Sequence, residues 1–333
     1  MCHSNEMRKQ MIIALHDIPG IGWHAVNKAI KNRLWTEATW SSQKLLQIGL
    51  RRDQAEAVAA QFHDRQWQSE SRSLSVLRNA GAHFITFYDE QYPFLLKQID
   101  QPPWILYAKG KLDLLECPAV AIVGTRVPTV YGRHTTEQMA RELSESGLTI
   151  VSGLARGIDS KAHEAALQAS GDTIAVLPTP IDTCYPGENL SLYNRIAERG
   201  LLLSETPLGT SLHPGQFHQR NRVIAALSRA TIVIEGAKKS GSLITAGHAF
   251  EMNREVFAVP GPINSPKSEG PNELIMNNTA KLLSSIQQIF DELPWLRTEI
   301  KNCKQRFGGK ENAGLLPQNK DILSADEEAI IAI

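Results

Sequence analysis

The feature that most constrains the fold is an alternation, starting near residue 80, between short apolar runs and longer amphipathic stretches. Seven runs have the length and apolar content of buried strands. They are His83–Phe87, Ala119–Val123, Thr149–Val151, Thr173–Leu177, Leu201–Leu203, Ala230–Ile234 and Val256–Val259. Helical stretches such as Thr135–Ser146 lie between many of them. This pattern predicts an α/β fold with an extended Rossmann-type parallel sheet and helices on both faces, and such sheets bind ligands at the carboxyl ends of their strands.

The regions on either side of this sheet domain, which spans residues 80–293, have different textures. Residues 1–75 show helical periodicity and predict a small N-terminal helical domain. Within it, the turn Gly20-Ile21-Gly22 resembles the phosphate-binding turn of helix-hairpin-helix modules. The favoured alternative is a tight turn between helices with no ligand.

The C-terminal residues predict a linker and the beginning of another domain. Residues 294–320 are largely polar and contain Gly308-Gly309, which indicates a linker. At 321–333 a helical pattern begins, with Ser324 and Glu327 spaced as in a capping box. So short a helix cannot bury its apolar face alone, so we interpret it as the start of a further domain.

Composition excludes several classes of protein. The formal net charge of the 333 residues is +0, so a nucleic-acid site would have to be a local concentration of Arg and Lys. No apolar run approaches the ~18 residues of a membrane span, and no signal peptide is evident, so we expect a soluble, cytoplasmic protein. The four cysteines form no C-x-x-C pair, which favours reduced cysteines over a disulfide scaffold or a zinc site.

Two loops that follow predicted strands have the composition of anion sites. Gly124-Thr125-Arg126 places a permanent cation directly after a strand. Ser152-Gly153 begins a glycine-rich loop that contains Arg156 and leads into a helix with Lys161. The pattern G-x-G-x-x-G is absent from the first loop, which disfavours a dinucleotide cofactor. A surface salt bridge is an equally good interpretation of Arg126 alone.

A third region combines an aromatic residue with positive charge. Phe217 precedes Arg220, Asn221 and Arg222 at the start of a predicted helix. Across residues 214–242 there are five Lys and Arg residues and one acid, a local excess of four. An aromatic ring can stack on a base at about 1–3 kcal/mol while guanidinium groups hold phosphates, which is typical of single-strand binding. The alternative is that the arginines only solvate one face of the helix.

A fourth region, Lys239-Ser240-Gly241-Ser242, places small residues and hydroxyls at a predicted helix N-terminus, where phosphates bind. Its lysines precede the serine, so it is not a Walker A loop, and ATP hydrolysis is not supported. The candidate binding residues are Gly124, Thr125, Arg126, Ser152, Gly153, Arg156, Lys161, Phe217, Arg220, Asn221, Arg222, Lys239, Ser240, Gly241 and Ser242.

The sequence offers no clear catalytic constellation. Asp159 and His163 lie four residues apart, but a local hydrogen bond or a core-facing histidine is the favoured interpretation. We therefore expect binding without catalysis, with no cofactor and no metal. A nucleotide phosphoribohydrolase using Asp159, Glu205 or Glu235 is a less favoured alternative, and a scaffold that recruits partners through its N-terminal helices is a third.

Several motifs, taken in order over about residues 80–290, resemble the bacterial DNA-processing protein A (DprA/Smf) family. They are Gly124-Thr125-Arg126 with Tyr131-Gly132, Val151 to Asp159 with Ala162-His163, Tyr185-Pro186 with Asn189, Ser204-Glu205 with Pro207, Gln219 to Ala225, Ser240 to Ala246 and Val256 to Gly261. The sequence departs from the family pattern at His218, at Ala226 and at 177–182, which puts the detailed pocket shape in doubt more than DNA binding.

The resemblance implies a Rossmann-type core with a helical (SAM or helix-hairpin-helix-like) domain before it and a winged-helix domain beginning at 321–333. It also implies single-stranded DNA binding, delivery of that DNA to the RecA recombinase in natural transformation, and a homodimer; single-strand-binding protein is a further candidate partner. Apolar residues near the end of the core could form the dimer patch, although covering the sheet explains them nearly as well. They are Leu274, Ile275, Leu282 and Leu283.

Overall fold

The short apolar runs of the alternating pattern form strands of one sheet. The computed structural model describes residues 2–18, 20–37, 39–61, 77, 81–169 and 171–307. Within them, nine strands lie in the order β1-β2-β6-β5-β4-β3-β7-β8-β9. The strands are β1 His83–Thr86, β2 Ile105–Gly110, β3 Ala119–Val123, β4 Thr149–Ser152, β5 Thr173–Leu177, β6 Leu201–Ser204, β7 Ala230–Val233, β8 Glu255–Ala258 and β9 Lys281–Leu282.

The predicted parallel sheet is confirmed, with an antiparallel addition at one edge. All pairings from β6 to β9 are parallel, whereas β1 pairs with β2, and β2 with β6, in antiparallel register. The seven predicted strands are present, and the sequence analysis missed β2 and β9. Strand β2 follows Pro102-Pro103, and β9 has only two residues, so neither has a strong strand pattern.

Helices connect the strands and precede them. They are α1 Cys2–His16, α2 Trp23–Lys31, α3 Ser42–Gln47, α4 Arg52–Gln61, α5 Phe94–Lys97, α6 Val130–Ser146, α7 Ile158–Gln168, α8 Leu190–Arg199, α9 Gly215–Leu227, α10 Gly241–Glu251, α11 Glu269–Met276, α12 Gln287–Glu292 and α13 Leu296–Phe307. Short 3-10 helices lie at Leu34–Thr36, Leu112–Glu116 and Gly187–Asn189.

Strand β3 shows why the central strands are apolar on both sides. Val120 and Ile122 belong to a core built with α6 and α7 on one face. Ala121 and Val123 belong to a second core with α9 and α10 on the other. All four side chains are buried, as expected for a strand with helices on both faces.

The N-terminal helices α1 to α4 share a third core with β2, β6 and α8. The indole N–H of Trp23 donates to the carbonyl of Pro102 at 2.8 Å, and that of Trp104 donates to the carbonyl of Trp23 at 3.2 Å. Their rings stack with centroids 5.7 Å apart. The helical region predicted before the sheet is therefore present, and it packs on the antiparallel edge.

Helix α13 occupies part of the range predicted to be a linker. Its residues Leu296 and Ile300 are buried in the core beside α6 and α7. A disulfide joins its Cys303 to Cys117, the residue two before β3, with the two Cα atoms 5.5 Å apart. The expectation of reduced cysteines is wrong for this pair, because packing of α13 brings together residues 186 positions apart.

The capping box of Ser324 and Glu327 lies outside the described residues, as does the Gly308-Gly309 pair. In the described part of the chain, no helix combines the length and the apolar character needed to cross a membrane.

Candidate functional site

A pocket of about 740 Å³ lies at the carboxyl ends of the central strands β3 and β7, where the sequence predicted a binding site. Loops after these strands supply Gly124 to Arg126 and Lys239 to Ser242. Helix α9 supplies its side chains at Phe217, Arg220, Asn221 and Ile224. These positions are three or four residues apart, so they lie on one side of the helix. Most of the predicted binding residues therefore meet in one place.

The mouth of the pocket carries a cluster of two rings and a cation. The Arg126 Cζ atom lies 5.5 Å from the centroid of the Phe217 ring. The ring of Tyr185 meets Phe217 edge to face, with centroids 5.5 Å apart. Arg126 and Tyr185 are exposed and Phe217 is half-buried, so these groups are accessible to a ligand. We call Arg126, Phe217 and Tyr185 the aromatic clamp.

Tyr185 was not among the predicted site residues, although Tyr185-Pro186 is one of the motifs that carry the family resemblance. Its placement depends on the loop between β5 and α8, which brings it against Phe217 from 32 positions away in the chain. Sequence spacing gives no information on such a contact. The sequence signal that could have identified Tyr185 as a site residue is that it is an aromatic residue inside a motif of the resembled family.

Tight backbone packing shapes the loop that presents Arg126. A Cβ atom on Gly124 would lie 2.6 Å from Cγ1 of Ile158, so a side chain at this position would displace the first residue of α7. The Thr125 N–H donates to the carbonyl of Glu235 at 2.7 Å, which joins the loops after β3 and β7. Arg126 therefore projects from a fixed backbone.

The N-terminus of α10 forms the opposite wall. Ser240 is its N-cap, and its hydroxyl accepts from the Ser242 N–H at 3.4 Å and lies 2.8 Å from the Ser242 hydroxyl. The side-chain amide of Asn221 donates to the carbonyl of Gly241 at 3.2 Å, which ties α10 to α9. An eleven-residue helix that points its N-terminus into a pocket favours an anion there. Lys239 is exposed beside it.

Arg220 forms the floor of the pocket and is buried. Its Nη1 donates to the carbonyls of Gly153 and Val176, the latter at 2.7 Å, and its Nε donates to Oδ1 of Asn221 at 3.1 Å. Burial lowers the pKa of this guanidinium to about 10, and the charge of Asp159 opposes the change. Arg220 thus holds the loop after β4 against the end of β5.

Asp159 lies beside Arg220 under the same loop. Its carboxylate accepts from the N–H groups of Gly153 at 3.2 Å and Ala155 at 3.4 Å. Burial raises its pKa, and the Arg220 charge and the two backbone donors oppose this rise. Asp159 and Arg220 therefore hold the glycine-rich loop separately, Asp159 through two backbone N–H groups and Arg220 through the carbonyl of Gly153.

Arg222 lies outside the pocket. Its Nη2 pairs with Glu205, and its Nη1 donates to the carbonyl of Gln101 at 2.6 Å. It lines a different cleft, of about 240 Å³, beside Trp23 of the N-terminal helices. The structure therefore does not bring Arg222 together with Arg126 and Phe217.

Three further predicted residues have local partners. Arg156 forms a bidentate ion pair with Glu188, with both N–O distances 2.7 Å. It lines a small recess beside the aromatic clamp. Lys161 pairs with Glu164 at 2.7 Å and does not line the pocket. The buried hydroxyl of Ser152 donates to the carbonyl of Ile122 at 2.7 Å and joins β4 to β3.

The carboxylates of the phosphoribohydrolase alternative do not share a site. Glu205 pairs with Arg222 in the second cleft. Glu235 is buried and accepts from the N–H of Thr129 at 2.9 Å and from its hydroxyl at 2.5 Å. Only Asp159 of the three lines the main pocket. The arrangement gives no pair of carboxylates facing one ligand.

His163 faces the core, as the favoured interpretation expected. Its Nδ1 lies 2.7 Å from the hydroxyl of Thr173, and that hydroxyl donates to the carbonyl of Ile150. Burial lowers the pKa of His163 to about 3, so the ring is neutral and structural. Among the residues that the structure describes, no group of three or more His, Cys, Asp or Glu side chains could hold a metal ion.

Comparison with known proteins gives a family and close structural relatives. The model of the DNA recombination-mediator protein A family matches residues 83–294. The DNA processing protein DprA of Bacillus subtilis is 44% identical over 245 residues, which are 73% of this chain and 82% of that protein.

Two solved structures extend the comparison. The X-ray structure of DNA processing protein A from Streptococcus pneumoniae has a TM-score of 0.74 at 36% identity, covering 85% of this chain and 97% of that one. DNA processing protein A from Helicobacter pylori, whose structure concerns its single-stranded DNA binding mode, has a TM-score of 0.58 at 36% identity. It covers 64% of this chain and 96% of the other.

Proposed function

The chain belongs to the DNA recombination-mediator protein A family, and from that premise we propose that it binds single-stranded DNA in the pocket at the carboxyl ends of β3 and β7. The observation that carries the proposal is the aromatic clamp, in which Arg126 lies against the Phe217 ring beside Tyr185. Rings accept bases of any sequence, and the guanidinium and the α10 N-terminus accept phosphate.

The clamp favours a single strand over a duplex for a geometric reason. A ring stacks only on a base whose face is accessible, and bases in a duplex are stacked on one another. The test is the anisotropy of labelled oligo-dT against a duplex of equal length, at two salt concentrations. We expect tighter binding of the single strand and weaker binding at higher salt. Equal affinity for the two forms would contradict the proposal.

We further propose that the bound strand is protected and handed to the RecA recombinase during natural transformation, without any chemical change to the DNA. The support is the family membership, since the family is described as a mediator of recombination. The test is RecA filament assembly on DNA coated with single-strand-binding protein, with and without this chain. Release of free base from nucleoside monophosphates would instead support the phosphoribohydrolase alternative. The proposed role in handing DNA to RecA also leads us to propose a cytoplasmic location.

A homodimer is proposed at the edge of the sheet that ends in β9. Leu282 of this strand is exposed, as are Phe250 and Met276 on neighbouring helices. Of the other residues predicted for the patch, Leu283 is buried in the core, and Leu274 and Ile275 are half-buried and pack against the core that contains α9 and α10. These three residues therefore mainly cover the sheet. Sedimentation should show a mass that rises with concentration, and Leu282→Glu should lower it. A monomer at all concentrations would contradict this proposal.

A further inference from the structure

An apolar surface follows the pocket residue Arg126 along the chain. Val127 and Val130 have 69% and 75% of their surface exposed, and Tyr131 has 47%. Ile263, in the loop after β8, is 96% exposed. We call Val127, Val130, Tyr131 and Ile263 the Tyr131 surface. Large apolar side chains grouped in this way on a protein surface commonly mark a binding site.

Contacts in the structure hold the ring of Tyr131 in place. Its hydroxyl donates to the carbonyl of Pro260 at 3.0 Å, which joins the start of α6 to the loop that carries Ile263. One residue before α6, Thr129 caps the helix by accepting from the Gly132 N–H at 3.0 Å, and it also donates to Glu235. The exposed ring is therefore already ordered before a ligand arrives, which lowers the entropic cost of stacking on it.

The charge around this surface fits a polyanion. Residues 124–136 include Arg126 and Arg133 and no Asp or Glu, and residues 259–268 include Lys267 and no acid. Glu235, which contacts this loop, is 2% exposed and has both oxygens turned toward Thr129. An exposed aromatic ring with arginines on either side, and no exposed acid between them, is the composition that single strands use.

The Tyr131 surface is also continuous with the pocket. Arg126 lines the pocket, and Val127 is the next residue of the same loop. A strand held at the aromatic clamp that leaves the pocket past Arg126 would therefore meet Val127, the neighbour of Arg126 in this loop.

We propose that the Tyr131 surface is a second stacking site, which takes a base of the same single strand beyond the nucleotides held in the pocket. This inference rests on the proposed function, because the strand must first enter the pocket. Tyr131 supplies the ring, Val127 and Val130 supply apolar contact, and Arg133 neutralises a phosphate. The bound segment is thus longer than the pocket alone accommodates.

The test is the affinity for oligo-dT of increasing length, measured for the parent, Tyr131→Ala, Tyr131→Phe and Phe217→Ala. Tyr131→Ala should leave the shortest oligonucleotides that bind unaffected and should weaken longer ones by about five-fold or more. Tyr131→Phe keeps the ring, so it should retain most of the parent's affinity for the longer oligonucleotides. Phe217→Ala should weaken binding at every length. Phe94→Ala removes an aromatic ring that is 70% exposed near the disulfide, and it serves as the matched control.

The outcomes separate the two proposals. If the parent binds no oligonucleotide, the proposed function fails and the second site with it. If Phe217→Ala weakens binding while Tyr131→Ala has no effect at any length, the pocket stands and the Tyr131 surface is not a DNA site. A loss with Tyr131→Ala that is equal at all lengths, or equal to the loss with Tyr131→Phe, would also overturn the inference, because it would indicate a structural role.

Discussion

The two sides of α9 use arginine in opposite ways. Arg220 and Arg222 are two residues apart, and at 3.6 residues per turn they point about 200° apart around the helix. Arg220 faces the main pocket and is buried, with its Nη1 bonded to the carbonyls of Gly153 and Val176. Arg222 faces the second cleft and pairs with Glu205. A run of positive charge in a helix therefore need not be a single binding surface.

The comparison extends to what a ligand can reach. On the pocket side, the charge available to a phosphate comes from Arg126 and Lys239, which are exposed. Arg220 beneath them is committed to the protein's own carbonyls, and Arg222 is committed to Glu205 and Gln101. The exposed cations of the pocket thus come from the loops after β3 and β7, whereas the two arginines of α9 hold the fold.

The largest effect expected is the loss of stability in Arg220→Ala. Removing the guanidinium leaves the buried carbonyls of Gly153 and Val176 without this donor, and each such loss costs about 1–3 kcal/mol. It also removes the positive charge that favours the ionised form of the buried Asp159 carboxylate. The measurement is urea unfolding of parent and variant at neutral pH. Arg220→Lys keeps a charge but not the fork of donors, so it should recover part of the loss. A stability equal to the parent's would show that Arg220 is not a structural anchor.

The second effect in size is expected from Phe217→Ala, on the same side of α9 but at the pocket mouth. It removes a stacking surface worth about 1–3 kcal/mol of binding and no charge. Affinity for oligo-dT should fall while the salt dependence stays fixed. Because Phe217 is half-buried and packs on Tyr185 and Arg126, the melting temperature should change little. A large drop in melting temperature would instead identify Phe217 as a core residue.

Arg222→Ala tests the other side of the helix. The Arg222–Glu205 pair is partly buried, with each side chain 18% exposed, so its loss should cost about 1–3 kcal/mol of stability. The log–log salt slope of oligo-dT binding should stay at the parent value, because no pocket charge is removed. Glu205→Gln, which removes the negative charge of the same pair but keeps a hydrogen-bond acceptor, is the matched variant. A flattened slope in Arg222→Ala would restore the interpretation that Arg222 holds a phosphate.

Much of the fold could be predicted because it depends on local pattern. The central strands are mostly apolar, with one threonine each in β5 and β7, and this pattern placed β3, β5 and β7 within a residue of their observed bounds. The disulfide between Cys117 and Cys303 could not be predicted, since it depends on the docking of α13 from 186 positions away. Helix α13 itself has few apolar residues, and only Leu296 and Ile300 are buried.

The site could be predicted as a set of loops but not as a set of side-chain roles. Gly124, Arg126 and Ser240 all line the pocket because strand ends of a parallel sheet meet at one edge. The burial of Arg220 runs against the usual exposure of arginine and depends on the carbonyls of Gly153 and Val176, which lie on other segments. Tyr185 was missed for the same reason, since its partner Phe217 is distant in sequence.

The smallest effect, and the sharpest test of the comparison, is expected from Arg126→Gln. Arg126 is exposed and contacts the Phe217 ring, and a glutamine there can still lie against the ring. Unfolding should therefore match the parent within about 0.5 kcal/mol, as for most surface changes. Binding should lose one neutralised phosphate, so the log–log salt slope should fall by about 0.7.

Arg126→Gln and Arg222→Ala remove the same charge from residues on two sides of α9. If only the pocket side holds phosphate, salt titrations should separate them, with the slope changing in Arg126→Gln alone and the stability changing in Arg222→Ala alone. Arg297→Gln changes an exposed arginine of α13 that lines neither cleft, and it controls for the loss of net charge. Equal slopes for Arg126→Gln and Arg297→Gln would mean that DNA responds to overall charge rather than to the pocket. The distinction between the two sides of α9 would then concern stability only.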